Sequence, residues 1–334
     1  MGARVVIGLS SWSDAGFVAD WYPPGMPARE RLAWYAERFE AVELNSSFYA
    51  LPDRLAVQRW VEVTPKRFTF DIKLHRLHSR HAAPLESLPP DLRAGVAVVG
   101  RGRVALTAEL EQAMLERLRE ELDPLERAGK LHGFLLQLSP AFAPERHELS
   151  ELEPVVSGLA PYPVAVELRH RAWVEDRRRE QTLDALTGLG AGFVCVDAPD
   201  GDQVTIMPAL DAVTHPKLAY LRLHGRNLEG YVQGQSVAER FGWVYSDEEL
   251  GEVSRRVSRL AEDAQEVRVM FNNNRSNDAP VAARRMREIF GQDPGPEPLR
   301  ELAAARGGGG RSGRSGRAGR GRGSRPPAGQ GRLL

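Results

Sequence analysis

Eight separate stretches of the chain read as buried β-strands, and nearly every one turns from apolar to polar or charged at its C-terminal end. They run Val5–Leu9, Ala41–Asn45, Phe68–Lys73, Gly133–Gln137, Val164–Arg169, Phe193–Asp197, Ala219–His224 and Val267–Asn272. Helical patterns separate most of them. Strands that alternate with helices imply βα units and a parallel sheet. Eight such units ending near Phe290 predict a closed (β/α)8, TIM-like barrel, in which chemistry sits where strands end.

Strand parity sharpens the expectation, because alternate side chains face the barrel interior and the helices. One register keeps the helix-facing set apolar, with Val42, Leu44, Phe70, Ile72, Phe134, Leu136, Val166, Val194, Val196, Leu221, Leu223, Val269 and Phe271 in it. The inward set is then Ser10, Glu43, Asn45, Lys73, His75, Gln137, Glu167, Arg169, Asp197, Arg222, His224 and Asn272. Polar groups buried in such number are costly unless they pair or meet a ligand. Cys195, the one cysteine, falls inward and mid-strand as a packing residue.

Length and charge divide the chain in two. With 334 residues, one large barrel at 1–291 and a tail at 292–334 fit best. From Arg306 onward there are eight arginines and no acids, so the remainder carries 37 basic against 45 acidic residues. The Arg/Gly-rich tail lacks the apolar content that would offset ordering entropy, so it is expected to be disordered, either a solubilising extension or a segment that touches nucleic acid. A single cysteine excludes an internal disulfide and a cysteine-based zinc cluster. There is no charged-then-apolar leader and no run of 18 apolar residues, which points to a cytoplasmic protein that makes no use of a membrane. Oligomeric state is unknown from the sequence.

Helices are expected over Ala28–Phe39, Leu55–Val63, Leu106–Ala128, Glu145–Leu159, Arg178–Leu189 and Asp278–Phe290, with Ser246 and Glu249 opening another as a capping box. Between strands six and seven, Ala198–Lys217 carries only a weak helical signal. The long insert after strand three, His75–Gly102, reads as a lid or rim. Its triplet His75, His78 and His81 is not spaced as a helical ligand pair and reads as solvated. No GxGxxG, GxxxxGK or GxSxG is present, so nucleotide-fold and serine-hydrolase readings lack their signatures.

Several motifs point to a family in combination: Gly8-Leu9-Ser10-Ser11-Trp12, Tyr22-Pro23-Pro24-Gly25, Glu43-Leu44-Asn45-Ser46-Ser47-Phe48-Tyr49, Leu136-Gln137-Leu138-Ser139-Pro140, Glu167-Leu168-Arg169-His170, Arg222-Leu223-His224-Gly225-Arg226 and Phe271-Asn272-Asn273. Up to about Phe290 the chain resembles the YecE-like proteins, domain-of-unknown-function family seventy-two. The resemblance implies a TIM-like barrel whose strand-end residues line a pocket, and it implies no settled reaction. The chain departs from it at Ser139, where a second proline is common, and in its tail.

The candidate site follows from these strand ends. Lys73, Arg169 and Arg222 with His75 and His224 suit an anionic, phosphorylated or nucleotide-like ligand. Glu43, Glu167 and Asp197 are either their ion-pair partners or acid–base groups, with His224 or His75 as a proton shuttle. Ser10, Asn45, Gln137, His170, Arg226, Asn272 and Asn273 complete the polar lining. Among the aromatics, Phe48, Tyr49 and Trp173 adjoin the polar clusters and are expected to form the rim. The leading expectation is a hydrolase or lyase without a cofactor. One alternative is a non-catalytic nucleic-acid-binding module that uses the cationic mouth and the tail. The other is a divalent-metal isomerase or endonuclease-like barrel with Glu43, Glu167, Asp197, His75 and His224 as ligands, against which the arginines at the same carboxylates argue.

Overall fold

The structure, a computed structural model, describes residues 2–296 except 176. The expected tail lies, from 297 onward, outside the described residues. Eight parallel strands close into one barrel: β1 (Arg4–Leu9), β2 (Ala41–Leu44), β3 (Thr69–Lys73), β4 (Leu131–Gln137), β5 (Val164–Glu167), β6 (Gly192–Asp197), β7 (Leu218–Leu223) and β8 (Glu266–Phe271). Each pairs with its sequence neighbours, and β8 closes the ring on β1. Where β1 meets β2 the backbones approach so closely that a Cβ on Gly8 would lie 2.5 Å from the Ala41 carbonyl oxygen, which requires glycine there.

Around the barrel lie α1 (Ala15–Asp20), α2 (Ala28–Ala36), α3 (Arg54–Val63), α4 (Ala108–Arg127), α5 (Glu153–Gly158), α6 (Arg178–Gly188), α7 (Leu228–Gln233), α8 (Val237–Phe241), α9 (Asp247–Asp263) and α10 (Asp278–Ile289). The helix expected over 145–159 is shorter, a 3-10 turn at Leu149–Leu152 leading into α5, because the Glu148–Glu151 capping pair and Pro154 fix its start late. No helix forms between β6 and β7, and α9 opens on the Ser246–Glu249 capping box. After β7 two short helices, α7 and α8, stand over the mouth. Residues 292–295 still touch the barrel, since Gln292 Nε2 donates to the Val5 carbonyl at 2.8 Å. Among the described residues no helix is long and apolar enough to cross a membrane.

The insert after β3 has a small core of its own, with Leu77, Ala83, Leu88, Val104, Leu110 and Met114 packed together. That burial overturns the solvated reading of the histidines: His75 and His78 are fully enclosed and His81 is part-buried. Desolvation, with Arg76 for His75 and Lys73 and Arg169 for His81, pushes both down to about 4, so they are neutral at ordinary pH.

A second parity correction concerns β6. Val194 and Val196 lie in register with Tyr220 and Arg222, whose side chains fill the barrel, so the two valines point inward, and Cys195 and Asp197 face the helices. The strand is apolar on both faces up to Val196, so its pattern does not mark which face is which. Asp197 is neutralised in the helical layer by Arg226 (2.9 Å), Arg256 (3.3 Å) and the Tyr245 hydroxyl (2.7 Å).

Candidate functional site at the barrel mouth

The centre of the barrel is a buried ion-pair network built from three strands. Arg222 on β7 donates to both oxygens of Glu43 on β2, at 3.0 and 2.6 Å, and its remaining terminal nitrogen bonds Glu167 on β5. Tyr220, two residues before Arg222 and on the same face, donates its hydroxyl to Glu43 at 2.9 Å. All four side chains are essentially inaccessible to solvent. Burial opposes charge on Arg222, but Glu167 and Glu43 outweigh it and hold the guanidinium protonated. Burial likewise acts to raise Glu167, and Arg222 and His224 overcome it, holding the carboxyl well below its usual range.

Above this network lie groups that reach the opening. Glu167 Oε1 accepts from Gln137 Nε2 at 2.8 Å and from His224 Nε2 at 3.1 Å, and Arg169 Nη1 stands 3.8 Å away. Asn272 Nδ2 meets His224 Nδ1 at 2.9 Å, and Asn272 Oδ1 accepts from Asn45. Because an amide NH2 can only donate, Nδ1 is the acceptor and the imidazole proton sits on Nε2, facing Glu167. His224 is therefore neutral and oriented, in keeping with desolvation lowering its pKa.

Lys73, at the end of β3, donates to Gln137 Oε1 at 2.8 Å and lies 4.7 Å from the centre of the Phe48 ring. Its backbone is fixed by Ser47, whose hydroxyl lies 2.6 Å from the Lys73 carbonyl and 2.8 Å from that of Leu44, tying the ends of β2 and β3 together. Desolvation, reinforced by the nearby Arg222, brings Lys73 down to about 7. Arg169 Nη2 bonds the Tyr231 hydroxyl of α7 at 3.2 Å. A narrow, nearly closed cleft of about 10 Å³, room for a single water molecule, lies here, with Glu167, Arg169, His224, Tyr231 and Phe241 among its walls. Lys73 stands beside it, joined to Glu167 through the Gln137 amide.

Glu43, Lys73, Gln137, Glu167, Arg169, Arg222, His224, Asn45, Asn272 and Phe48 are thus brought together. Asp197 and Arg226 are not, because they pair with each other and with Arg256 and Glu252 on the outer face of the sheet. Trp173 is no rim residue either: it stacks on Phe142 and donates its indole N–H to the Phe142 carbonyl at 2.7 Å. His75 accepts from the Leu77 N–H within the insert, away from the ion-pair network. Asn273 holds the Trp243 carbonyl, Ser10 accepts from Asn274, Tyr49 is exposed, and the buried His170 Nδ1 has no partner. Tyr220, Tyr231 and His81 were not anticipated; Tyr220 was within reach, since it shares the parity of Arg222. Among the described residues no group of three His, Cys, Asp or Glu side chains is arranged to hold a metal ion.

The family model described as "Protein of unknown function DUF72" matches residues 6–304. The chain belongs to this family. It is similar to the UPF0759 protein YunF of Bacillus subtilis, at 26% identity over 290 residues, 86% of this chain and 94% of that protein. It also matches the UPF0759 protein YecE of Escherichia coli, at 29% identity over 196 residues, 58% of this chain and 59% of that protein. A crystal structure of a DUF72 family protein from Enterococcus faecalis V583 superposes with a TM-score of 0.72 at 25% identity, covering 87% of this chain and 96% of that one. One from Thermotoga maritima MSB8 superposes at 0.69 with 24% identity, over 86% and 100%, and shares the fold.

Proposed function

We propose that the mouth is the active site of a hydrolase or lyase acting on a small anionic substrate, with Arg169 and Lys73 as the groups that hold its negative charge. The observation that carries this reading is the charge count. Two carboxylates, Glu43 and Glu167, face three cations, and both are already taken up by Arg222. Lys73 has an amide for a partner, and Arg169 has a tyrosine hydroxyl and a carboxylate 3.8 Å away. A desolvated cation without a committed carboxylate is the natural seat of an anion. Arg222, which the strand pattern offered as a second clamp, is buried beneath and serves as scaffold. Lys73 is also the group best poised to exchange a proton near neutrality, whereas Glu167 is held ionised by Arg222.

Calorimetric titration with sulfate and with inorganic phosphate tests the reading. Arg169→Met and Lys73→Met should each weaken binding by roughly 10- to 100-fold, the worth of one hydrogen bond to a charged group. Unchanged affinity in both variants, with folding intact, would refute it.

A further inference from the structure

The chain has four lysines, Lys66, Lys73, Lys130 and Lys217, and the contrast between Lys73 and Lys130 is informative. Lys130 is buried and donates to the Val61 carbonyl (2.7 Å), the Thr64 carbonyl (2.7 Å) and the Thr64 hydroxyl (2.9 Å). Three acceptors for three N–H donors is how a protein keeps an ammonium in its interior. Lys73 has one acceptor, Gln137 Oε1. The Gln137 amide cannot turn to offer more, because its NH2 is committed to Glu167 Oε1 at 2.8 Å. An amide oxygen therefore stands between the lysine and Glu167, and beyond it Nζ lies 4.7 Å from the centre of the Phe48 ring on a side chain that is only part-buried.

We propose that Lys73 is a nucleophile that captures the carbonyl carbon of an anionic aldehyde or ketone as a Schiff base, while Arg169 holds the anionic group. The assignment rests on the anion reading of the same mouth and narrows its substrate class to carbonyl compounds. A nitrogen with one committed hydrogen bond and an open side has its lone pair free to attack, unlike one that is saturated. The depression of Lys73 to about 7 leaves a large share of it unprotonated at neutral pH. In the step itself, a C–N bond forms as the carbonyl π pair moves to oxygen. The proton on the attacking nitrogen transfers to that oxygen, and the proton that the Lys73 ammonium had given up to water on becoming the free amine returns to the hydroxyl, which departs as water. Ammonium plus carbonyl thus gives iminium plus water, with no oxidant or reductant. Glu167, 2.8 Å from the Gln137 amide, supplies a fixed negative charge near the developing iminium.

Treating the full chain with glyoxylate or pyruvate and sodium cyanoborohydride, which reduces an iminium to a stable secondary amine, tests this directly. Peptide mapping by mass spectrometry should find the adduct on Lys73 at least tenfold ahead of Lys66 and Lys217, Lys73→Arg should remove it, and Arg169→Met should slow it. Labelling of Lys73 no faster than Lys66 and Lys217, or its absence in a protein that still binds sulfate, overturns the Schiff-base assignment and leaves the anion reading standing. Rapid labelling of Lys73 that Arg169→Met does not slow, in a protein that fails to bind sulfate, upholds the nucleophile and overturns the anion reading.

Discussion

Replacing Arg222 by methionine separates a scaffold arginine from a ligand-binding one. In the folded protein this guanidinium meets Glu43 through two bonds and Glu167 through a third, all in a space closed to water. Methionine fills similar volume but leaves two carboxylates with only the Tyr220 hydroxyl, the Gln137 amide and His224 as partners. Breaking a buried ion pair from one side costs about 3–5 kcal/mol, which for a barrel of about 290 residues lowers the melting midpoint by roughly 5–8 °C. The loss should depend on pH in a set direction. Glu167 in the wild type has its pKa held below the ordinary 4.5, so its contribution is fully present above that value and fades as pH falls through the folded pKa. In the variant the carboxyls lose their cation and take up protons more readily. The gap between the two proteins should therefore be wide at pH 7 and narrow in acid, and adding Glu43→Gln should return part of the loss. Melting curves followed by circular dichroism between pH 2 and 8 would measure all of this. A variant that melts with the wild type but no longer binds sulfate would refute the reasoning and make Arg222 the anion clamp.

Asp197→Asn should destabilise the fold by about 2–4 kcal/mol, because Arg226, Arg256 and Tyr245 all depend on that carboxylate, and calorimetry should find sulfate affinity unchanged. Sulfate, which does not titrate near neutrality, should bind more weakly as pH rises through about 7, where Lys73 loses its proton; Lys73→Met should flatten the dependence, and a flat wild-type profile would contradict the assignment. A chain ending at 296 should keep both melting midpoint and sulfate affinity, since the cations of the mouth are all carried by barrel strands or the first residues beyond them; loss of anion binding on truncation would favour the nucleic-acid reading of the tail.

Much of this architecture was legible in the sequence because the barrel writes itself twice, once as strand–helix alternation and once as a polar step at strand ends. Parity placed Glu43, Lys73, Glu167, Arg169 and Arg222 on one face correctly, since each flanks an outward set that is plainly apolar. Asp197 defeated the same logic: its strand is apolar on both faces, and the cations that satisfy it, Arg226 and Arg256, come from a loop and from α9, at separations that no local pattern reveals. The histidines of the insert were misplaced for a related reason, since their burial depends on a small core assembled from residues spread over Leu77 to Met114.

Attention to strand ends alone also concealed the charge layer at the opposite end of the barrel, which explains why the mouth stands out. There Arg268 pairs with Asp71 (2.6 Å) and Glu266 (2.8 Å), and His132 bridges the same two carboxylates at 2.9 and 3.0 Å. Burial and Arg268 oppose a proton on His132, but Asp71 and Glu266 prevail and raise its pKa, and Arg4 adds a further ion pair to Glu266 at 3.3 Å. Each group in that layer has a partner of opposite charge within ion-pair distance, and nothing in it needs a ligand. The mouth shares β3 with that layer, Lys73 standing two residues beyond Asp71, yet holds one more cation than its carboxylates can satisfy. The surplus falls on Lys73, the one member given an amide instead of an acid, and its pKa falls accordingly. Packing alone requires each layer to close its charges. One layer does so and the other stops short at the end that opens to solvent, and that difference is the physical ground for assigning the mouth to a ligand.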